Sequence, residues 1–566
     1  MGDVYCIDFN GWITGASTAP PPKQVDFNSQ TIPELIYTKG KSDRVAAVFD
    51  SEKTSLTFSK IVYEMESIAA GLLSSGLQPG DRILICGSNH SQVMLSAFAA
   101  SRAGLVFSLA NPNFSNAASL HRALDVGEFR AIVCFKSQIC SDYLNSLLLE
   151  ICPELMQCRK GQLKAAALPK LSHVILAEED HKHAGTYTLS EVFNKSSKDK
   201  IDRLPDYDNW SSHKLACLQF TNGTTDEPKL VALSHYQLLN GARAVVTAFR
   251  IQKEHVICCS LPIFRIPLFS LVCLSPFLTE CRTVFPEASP LPRNLFASVN
   301  KYQCTTLLSN GAALRLLLKI SQTQRVKLNQ LQNILLIGDR VSKDVLKIIK
   351  EQAQNVKIIA VGYLLTELGS IPIMGDETTD FTRNVGRAIA GYEIKLSPLR
   401  GEDDGRDVPQ GQLGVLMIRT YYGSTFMGYA PETRGKIKWI DTGDIARMDE
   451  HGNVEIVTSK EDLIFDMNNG VVEHWHVERL LNQNDLIKGC QIVSTSRGGP
   501  LTAVCVLRNA QHNATVVRKE LVDMCRLHGF IVPEKFAFVG DFPRVHTRIQ
   551  KYRIRQMINE GRISLF

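Results

Sequence analysis

The stretch LQFTNGTTDEPKLVALSHY, residues 218–236, places a polar loop directly after an apolar run. Gly223 permits a close approach of the backbone to a ligand, and Lys229 supplies a cation. Hydroxyl donors come from three threonines: Thr221, Thr224 and Thr225. Phosphate-binding loops use such groups, although the G-x-x-x-x-G-K-[ST] spacing of a Walker A loop is missing. Taken alone, the stretch fits either a phosphate loop or a polar turn.

The size and composition are those of a globular protein with more than one domain. The 566 residues are 44% hydrophobic and 21% charged, which excludes a disordered or fibrous class. The net charge of +6 is spread over 63 Lys and Arg and 57 Asp and Glu residues. No polycationic surface is implied, so we expect no nucleic-acid partner.

The 15 cysteines are scattered without C-x-x-C pairs, and several lie inside apolar runs such as RILIC around Cys86. This pattern predicts reduced, buried thiols and no disulfide or zinc framework.

The sequence predicts no transmembrane segment. The longest apolar stretch, SQVMLSAFAASRAGLVFSLA at 91–110, is interrupted by Arg102 and Gly104, which favours a helix, a turn and a strand. The N-terminus MGDVYCIDFNGW resembles neither a secretory signal nor an Arg-rich transit peptide. We therefore predict a cytoplasmic location; mitochondria, peroxisomes and peripheral membrane association stay open.

Alternation of strand-like and helix-like segments predicts an α/β fold with parallel sheets. Strand patterns at 82–86 and 130–135 alternate with helix patterns at 58–75 and 92–102. After the opening loop, four further buried strands are predicted, each followed by a turn: HVICCSLPIF, CTTLLS, NILLIGD and VKIIAVGY.

The predicted secondary structure changes near residue 385 from alternating strands and helices to short strands. Short strands such as GYEIKLSP and NVEIVTS, separated by Gly, Pro and Asp, predict a barrel-like β subdomain over 385–456 of an N-terminal domain spanning 1–456. Residues 457–566 mix helix and strand and are predicted to form a small α+β lid. This lid is expected to end in a basic helix, RIQKYRIRQMINEGR.

An ordered set of motifs carries a family resemblance. TNGTTDEPKL at 221–230 is followed by YLLTE at 363–367 and WIDTGD at 439–444, with LTF, GLQPGDR, VGR and MGY in order between and around them. In this order the motifs resemble those of the AMP-forming acyl-CoA synthetases, the adenylate-forming ligases, and among them the medium-chain fatty acyl-CoA ligases.

The resemblance implies a fold and a reaction. The fold is a large N-terminal domain of two doubly wound sheets plus the barrel-like subdomain, with a mobile α+β lid joined near 457–462. The reaction is ATP-dependent fatty acyl-CoA ligation. A carboxylate attacks the α-phosphate of Mg·ATP, and the coenzyme A thiol then displaces AMP from the acyl-adenylate. ATP, Mg²⁺ and coenzyme A are the implied cofactor and co-substrates.

Residue roles follow from the same resemblance. The loop residues Thr221, Gly223, Thr224, Thr225 and Lys229 are expected at the phosphates. Glu367 is expected to ligate Mg²⁺, and Thr366 to contact the phosphate or carboxylate. Tyr363 is expected in the nucleotide pocket, and Asp444 to accept hydrogen bonds from the ribose hydroxyls.

The chain departs from the family pattern at several positions. Arg548 stands where the family has a catalytic lysine, with Lys551 as a nearby substitute; Ser459 replaces an arginine expected at the ribose. Phe264-Arg265 replaces an aromatic-His pair near the carboxylate site. Two alternatives follow: a modified ligase in which residues such as Arg265 and Arg548 compensate, or a catalytically impaired pseudoenzyme that retains nucleotide or acyl binding for a regulatory or scaffolding role.

Overall fold

The structure is a computed structural model. It describes residues 27–181, 183–221, 229–338, 341, 343–375, 379–380, 382–399, 408–421, 427–430, 439–468, 470–509, 511–545 and 548–566. Three residues of the predicted phosphate loop, Gly223, Thr224 and Thr225, lie outside the described residues, as does the side chain of Arg548.

The strands, in chain order, are β1 (Val45–Phe49), β2 (Thr54–Thr57), β3 (Arg82–Cys86), β4 (Val106–Ala110), β5 (Ala131–Cys134), β6 (His173–Leu176), β7 (Tyr187–Thr188), β8 (Leu215–Phe220), β9 (Leu230–Ser234), β10 (Val256–Cys259), β11 (Arg282–Phe285), β12 (Thr306–Ser309), β13 (Asn333–Ile337), β14 (Ile358–Leu365), β15 (Ser370–Met374), β16 (Arg387–Ala388), β17 (Tyr392–Ser397), β18 (Gly414–Thr420), β19 (Tyr429–Ala430), β20 (Ile440–Met448), β21 (Val454–Ser459), β22 (Ile464–Phe465), β23 (Val471–Val472), β24 (Ile487–Val493), β25 (Thr502–Leu507), β26 (Lys535–Val539), β27 (Arg544–Val545) and β28 (Arg548–Ile549).

The α-helices are α1 (Ile32–Tyr37), α2 (Phe58–Ser74), α3 (Ser91–Arg102), α4 (Ala117–Val126), α5 (Tyr143–Ile151), α6 (Leu189–Asn194), α7 (Lys198–Ile201), α8 (His235–Ala248), α9 (Ile266–Thr279), α10 (Pro292–Lys301), α11 (Gly311–Gln324), α12 (Lys343–Gln352), α13 (His474–Leu481), α14 (Ala514–Leu527) and α15 (Lys551–Asn559). Short 3₁₀ turns occupy Pro153–Met156, Tyr207–Asn209, Thr366–Leu368 and Lys460–Asp462.

Two large sheets dominate the described part of the chain. The first has nine strands in the order β16-β15-β14-β13-β12-β10-β11-β1-β2, and the second has eight in the order β19-β9-β8-β4-β3-β5-β6-β7. The inner strands of both sheets are parallel, and antiparallel strands stand at the edges of the first sheet and at one edge of the second. The predicted α/β class is therefore confirmed.

The inner strands are continuous apolar runs because both of their faces are buried. In β13, Leu335 packs into a core shared by the two sheets, whereas Leu336 packs on the opposite face. In β3, Ile85 joins the same shared core and Leu84 packs on the outer face of the second sheet. Alternate residues thus build one central core and two outer ones, as the period of two in a strand requires.

The interrupted apolar stretch forms the predicted helix, turn and strand. Helix α3 ends at Arg102, Gly104 adopts a positive φ of 75°, and β4 follows. Arg102 is buried, donates to the Pro205 carbonyl at 2.8 Å, and lies 4.7 Å from the ring centre of Tyr207. Among the described residues, no helix combines the length and apolarity needed to cross a membrane.

The fourteen cysteines that the structure describes are free thiols. All but Cys140 and Cys158 are buried. Twelve of the fourteen described cysteines are therefore buried, as the apolar runs around them predicted.

The strand-rich region after residue 385 contains a four-stranded antiparallel sheet with the order β17-β18-β20-β21. Beyond it, β24, β25 and β26 form a three-stranded sheet whose own apolar cores include residues of α13, α14 and α15. The division into two domains near 457 and the mobility of the second stay predictions.

The last basic segment differs from the sequence prediction. We predicted one helix that includes Arg548, but the helix begins at Lys551. Arg548 instead lies in β28, where it pairs with Val545 of β27 in a short antiparallel ladder. The local pattern could not reveal this pairing because it depends on the neighbouring strand β27.

The buried His235, at the start of α8, is expected to make the stability of the fold depend on pH. Burial lowers the pKa of this histidine from 6.5 to about 3, and its Nδ1 accepts a hydrogen bond from the Ile32 amide at 3.3 Å. Below pH 6.5 the unfolded chain binds a proton that the folded chain does not, so stability falls as the pH falls towards 3. Between pH 7 and pH 5 this histidine is expected to account for a loss of about 2 kcal/mol.

Urea unfolding of His235→Gln at the two pH values checks this expectation. The variant is expected to lose about 2 kcal/mol less than the wild type on acidification. His451→Gln, at an exposed histidine, is the matched control and is expected to behave as the wild type does. Equal acid sensitivity of His235→Gln and the wild type would contradict the assignment.

Candidate active site

The carboxyl ends of the parallel strands of the first sheet gather several predicted site residues. Phe264 and Arg265 follow β10, and Thr366 and Glu367 directly follow β14. Both strands run in the same direction through β12 and β13, so their carboxyl ends meet at one edge of the sheet. In open α/β sheets, ligands bind at this edge.

The opening loop leaves the second sheet at one end of the β8–β9 pair. The Thr221 amide donates to the Lys229 carbonyl at 2.9 Å, which closes the base of the loop. The Lys229 side chain is exposed, and Nζ lies 5.6 Å from the ring centre of Tyr429. The two described ends of the predicted phosphate loop are thus adjacent, with a cation facing outward.

Asp444 is held by the local structure of the WIDTGD motif. Gly443 adopts a positive φ of 73°, a conformation that favours glycine, and its amide donates to Asp441 Oδ1 at 2.8 Å. The Asp444 amide donates to Thr442 Oγ1 at 3.2 Å. Tyr363 Oη then donates to Asp444 Oδ2 at 2.6 Å, which joins two predicted nucleotide residues from segments far apart in sequence.

Glu367 forms the acidic centre of the site. Burial raises its pKa, while the hydrogen bond from Tyr429 and the charge of Lys229 oppose this rise and the charge of Asp444 adds to it. The hydrogen bond joins Tyr429 Oη to Glu367 Oε1 at 3.0 Å. Lys229, Glu367 and Asp444 therefore lie within electrostatic reach of one another.

The carboxylates near Glu367 show whether the site fits a magnesium ion. Mg²⁺ in phosphate-transferring sites is typically held by one or two carboxylates together with substrate phosphates, rather than by a cage of protein ligands. The described residues contain no cluster of three or more His, Cys, Asp or Glu side chains suited to a metal. The single partly buried carboxylate of Glu367 beside Lys229 fits the first arrangement.

Phe264 and Arg265 sit between the two sheets. Gln219 of β8, which is only 5% exposed, donates through Nε2 to the Phe264 carbonyl at 3.2 Å and to the Leu109 carbonyl at 3.0 Å. Arg265 caps the start of α9, and its buried Nε has no hydrogen-bond partner among the described residues. Burial lowers the pKa of the guanidinium. The role of Arg265 at a carboxylate stays a prediction.

Ser459 occupies the position where the family pattern has an arginine. In the β20–β21 ladder it lies directly opposite Asp444, so residue 459 does border the predicted ribose carboxylate. Its hydroxyl donates to Asp462 Oδ2 at 2.9 Å. The neighbouring cation, Lys460, pairs with Asp441 at 3.0 Å.

The side chain of Lys551 is held by contacts with other residues of the C-terminal region. Its Nζ forms an ion pair with Glu478 Oε1 of α13 and donates to the Ile492 carbonyl at 3.3 Å. The Lys551 side chain is only 9% exposed. Lys551 stays a candidate for catalysis, but action on a substrate requires this ion pair to break.

The structure therefore brings together most of the predicted residues that it describes. Lys229, Tyr363, Glu367 and Asp444 are connected through hydrogen bonds, ring contacts and charge interactions. Thr366 directly precedes Glu367, and the Thr221 amide donates to the Lys229 carbonyl. Tyr429 and Gln219 were not predicted as site residues from the sequence, although Tyr429 lies in the MGY motif.

A family model provides the comparison that decides the family. The model of the AMP-binding enzyme family matches residues 37–430, which include Thr221, Lys229, Glu367 and Tyr429. The chain belongs to the AMP-binding enzyme family.

Relatives of this AMP-binding enzyme include ligases. The chain is 28% identical over 541 residues to a mitochondrial medium-chain acyl-CoA ligase, ACSF2, of Danio rerio, with 91% of this chain and 86% of the relative covered. ACSF2 of Bos taurus is 26% identical, with 92% and 85% covered. Because these relatives are named as mitochondrial, the cytoplasmic location stays a prediction.

A solved structure supports the fold. ATP-bound MatB from Rhodopseudomonas palustris superposes with a TM-score of 0.75 at 18% identity, and the match covers 94% of this chain and all of MatB. At this identity the likeness concerns the fold alone.

Proposed function

We propose that this AMP-binding enzyme is an AMP-forming acyl-CoA ligase that joins fatty acids, in the medium-chain class, to coenzyme A at the expense of ATP. The observation that carries the proposal is the meeting of Lys229, Glu367 and Asp444 around Tyr363 and Tyr429. From Lys229 to Asp444, these residues span more than 200 positions of the chain. A ligand with phosphates and a ribose is the common reason for their proximity.

In the first half-reaction, a carboxylate oxygen of the fatty acid attacks the α-phosphorus of ATP. The new oxygen–phosphorus bond forms as the bond to the bridging oxygen breaks, and pyrophosphate leaves. Lys229 offsets negative charge on the phosphates, and hydroxyls of Thr221 and Thr366 donate to phosphate oxygens, together with Gly223, Thr224 and Thr225 of the same loop. Such fixed charges and donors stabilise the transition state more than the bound substrate.

Two further groups orient the substrates. Asp444 accepts hydrogen bonds from ribose hydroxyls while Tyr363 fixes the direction of its carboxylate. Arg265, with its unpartnered Nε, attracts the fatty-acid carboxylate beside Phe264. Mg²⁺, when bound at Glu367, supplies further charge neutralisation at the phosphates.

In the second half-reaction, the sulfur of coenzyme A attacks the acyl carbonyl carbon. The carbon–sulfur bond forms as the bond to the AMP oxygen breaks, and the thiol proton passes to solvent. Arg548 is the proposed C-terminal cation that contacts the α-phosphate in the first half-reaction, since Lys551 is already paired with Glu478. The relatives are named as ligases, so they give no support to a pseudoenzyme.

One assay of the full chain tests the proposal. The purified protein is incubated with ATP, Mg²⁺, coenzyme A and a series of medium-chain and long-chain fatty acids, and pyrophosphate and acyl-CoA are measured separately. We expect both products, with pyrophosphate release dependent on the acid. Stabilisation by ATP or by a stable acyl-AMP analogue without any product would favour a binding protein that has lost turnover. Neither stabilisation nor product would contradict both alternatives.

A further inference from the structure

Tyr429 is placed next to Lys229 by the pairing of an edge strand. Strand β19 runs antiparallel to β9 with Tyr429 opposite Val231, and the Ala232 amide donates to the Gly428 carbonyl at 3.0 Å. Because side chains alternate along a strand, Lys229 and Val231 face the same side, and Tyr429 faces it with them. The ring therefore lies diagonally across from the Lys229 side chain.

The same side chain reaches the first sheet. Its hydroxyl donates to Glu367 Oε1 at 3.0 Å, while its ring centre is 5.6 Å from Lys229 Nζ. A cation at this distance from an aromatic ring is attracted to it, and a hydrogen bond to a carboxylate is stronger than one between neutral groups. Tyr429 thus contacts both charged groups of the site, one through its ring and one through its hydroxyl.

We propose that Tyr429 is a positioning residue of the nucleotide site. Its hydroxyl fixes the Glu367 carboxylate and its ring fixes the Lys229 ammonium group, so that a metal-bound polyphosphate meets both in one preformed arrangement. The inference rests on the proposed function, because it assigns Tyr429 to the binding of a Mg²⁺–nucleotide complex. A purely structural tyrosine on an edge strand would instead affect stability without affecting the metal dependence of binding.

The test measures binding without turnover. The affinity of the full chain for a non-hydrolysable α,β-methylene ATP analogue is determined by calorimetry, once with excess Mg²⁺ and once with EDTA. Tyr429→Phe keeps the ring and removes the hydroxyl, so we expect roughly a tenfold loss of affinity with Mg²⁺ and no change with EDTA. Tyr429→Leu removes both contacts and is expected to weaken binding in both buffers.

Two additional variants sharpen the result. Glu367→Gln combined with Tyr429→Phe is expected to bind no more weakly with Mg²⁺ than Glu367→Gln alone, because the hydroxyl acts through that carboxylate. Tyr143→Phe is the matched control: it also removes a tyrosine hydroxyl with one hydrogen bond, to the Phe114 carbonyl at 2.7 Å, and is expected to bind as the wild type does.

The outcomes separate this inference from the proposed function. Unchanged affinity of Tyr429→Phe with Mg²⁺, or an equal loss in both buffers, would overturn the role of Tyr429 while the wild type still binds the nucleotide. Failure of the wild type to bind the analogue in either buffer would overturn the proposed function and this inference with it.

Discussion

Replacement of Lys229 by methionine is expected to lower kcat/KM for acyl-adenylate formation by roughly 10²–10³-fold, which corresponds to about 2.7–4 kcal/mol of transition-state stabilisation. Lys229 is exposed at the base of the predicted phosphate loop, and its charge acts on Glu367. Methionine retains much of the aliphatic length and removes the cation. The measurement is acid-dependent pyrophosphate release at limiting ATP.

Lys214→Met is the matched control for Lys229→Met. Lys214 also lies over an aromatic ring, with Nζ 4.4 Å from the ring centre of Trp210, but it directly precedes Leu215, which pairs with Ser234 at the opposite end of the β8–β9 pair from Lys229. Its replacement is expected to change kcat/KM by less than about twofold, because surface substitutions away from a site rarely have large effects. Equal losses in the two variants would show that Lys229 has no specific role.

Replacement of Lys551 by methionine is expected to destabilise the C-terminal region by about 3–5 kcal/mol, since it leaves the carboxylate of Glu478 buried without its cation. The two side chains are 9% and 17% exposed. Glu478 also accepts a hydrogen bond from the Ile492 amide at 2.7 Å, so the pair connects α13, β24 and α15. Urea unfolding followed by tryptophan fluorescence, to which Trp475 of α13 contributes, measures the effect.

The double variant Lys551→Met with Glu478→Gln separates the ion pair from simple packing. It is expected to be more stable than Lys551→Met alone, because no buried charge remains unpaired. Arg562→Met, which removes an exposed ion pair with Glu560, is expected to cost less than about 1 kcal/mol. Loss of ligase activity by Lys551→Met at a temperature where it stays folded would instead favour a catalytic role for Lys551.

The inner strands were predictable because their signal is local. RILIC at 82–86 and NILLI at 333–337 form β3 and β13 as the apolar runs indicate. Burial on both faces leaves a continuous apolar run between turn residues, and that pattern needs no knowledge of the partner strand. Glu367 and Asp444 could be singled out for a similar reason, since each belongs to a short motif of neighbouring residues, the first in the 3₁₀ turn Thr366–Leu368 and the second in β20.

The contacts of Tyr429 and Lys551 could not be predicted in this way. Tyr429 reaches Glu367 only because β19 pairs with β9, nearly 200 residues earlier in the chain. Lys551 meets Glu478 across 73 positions. No periodicity encodes such pairings, so MGY was a motif without a predicted role and Lys551 was predicted only as a possible substitute for the catalytic lysine.

The pairing of Asp444 with Ser459 has a mechanical consequence. Ser459 is the last residue of β21, and the 3₁₀ turn Lys460–Asp462, where we expect the lid to hinge, begins at the next residue. Strands joined by main-chain hydrogen bonds do not move independently of each other. Movement at that turn is therefore transmitted through the Ser459–Asp444 pair to the carboxylate that is proposed to bind the ribose. Conversely, a nucleotide bound at Asp444 is expected to restrict movement at the turn.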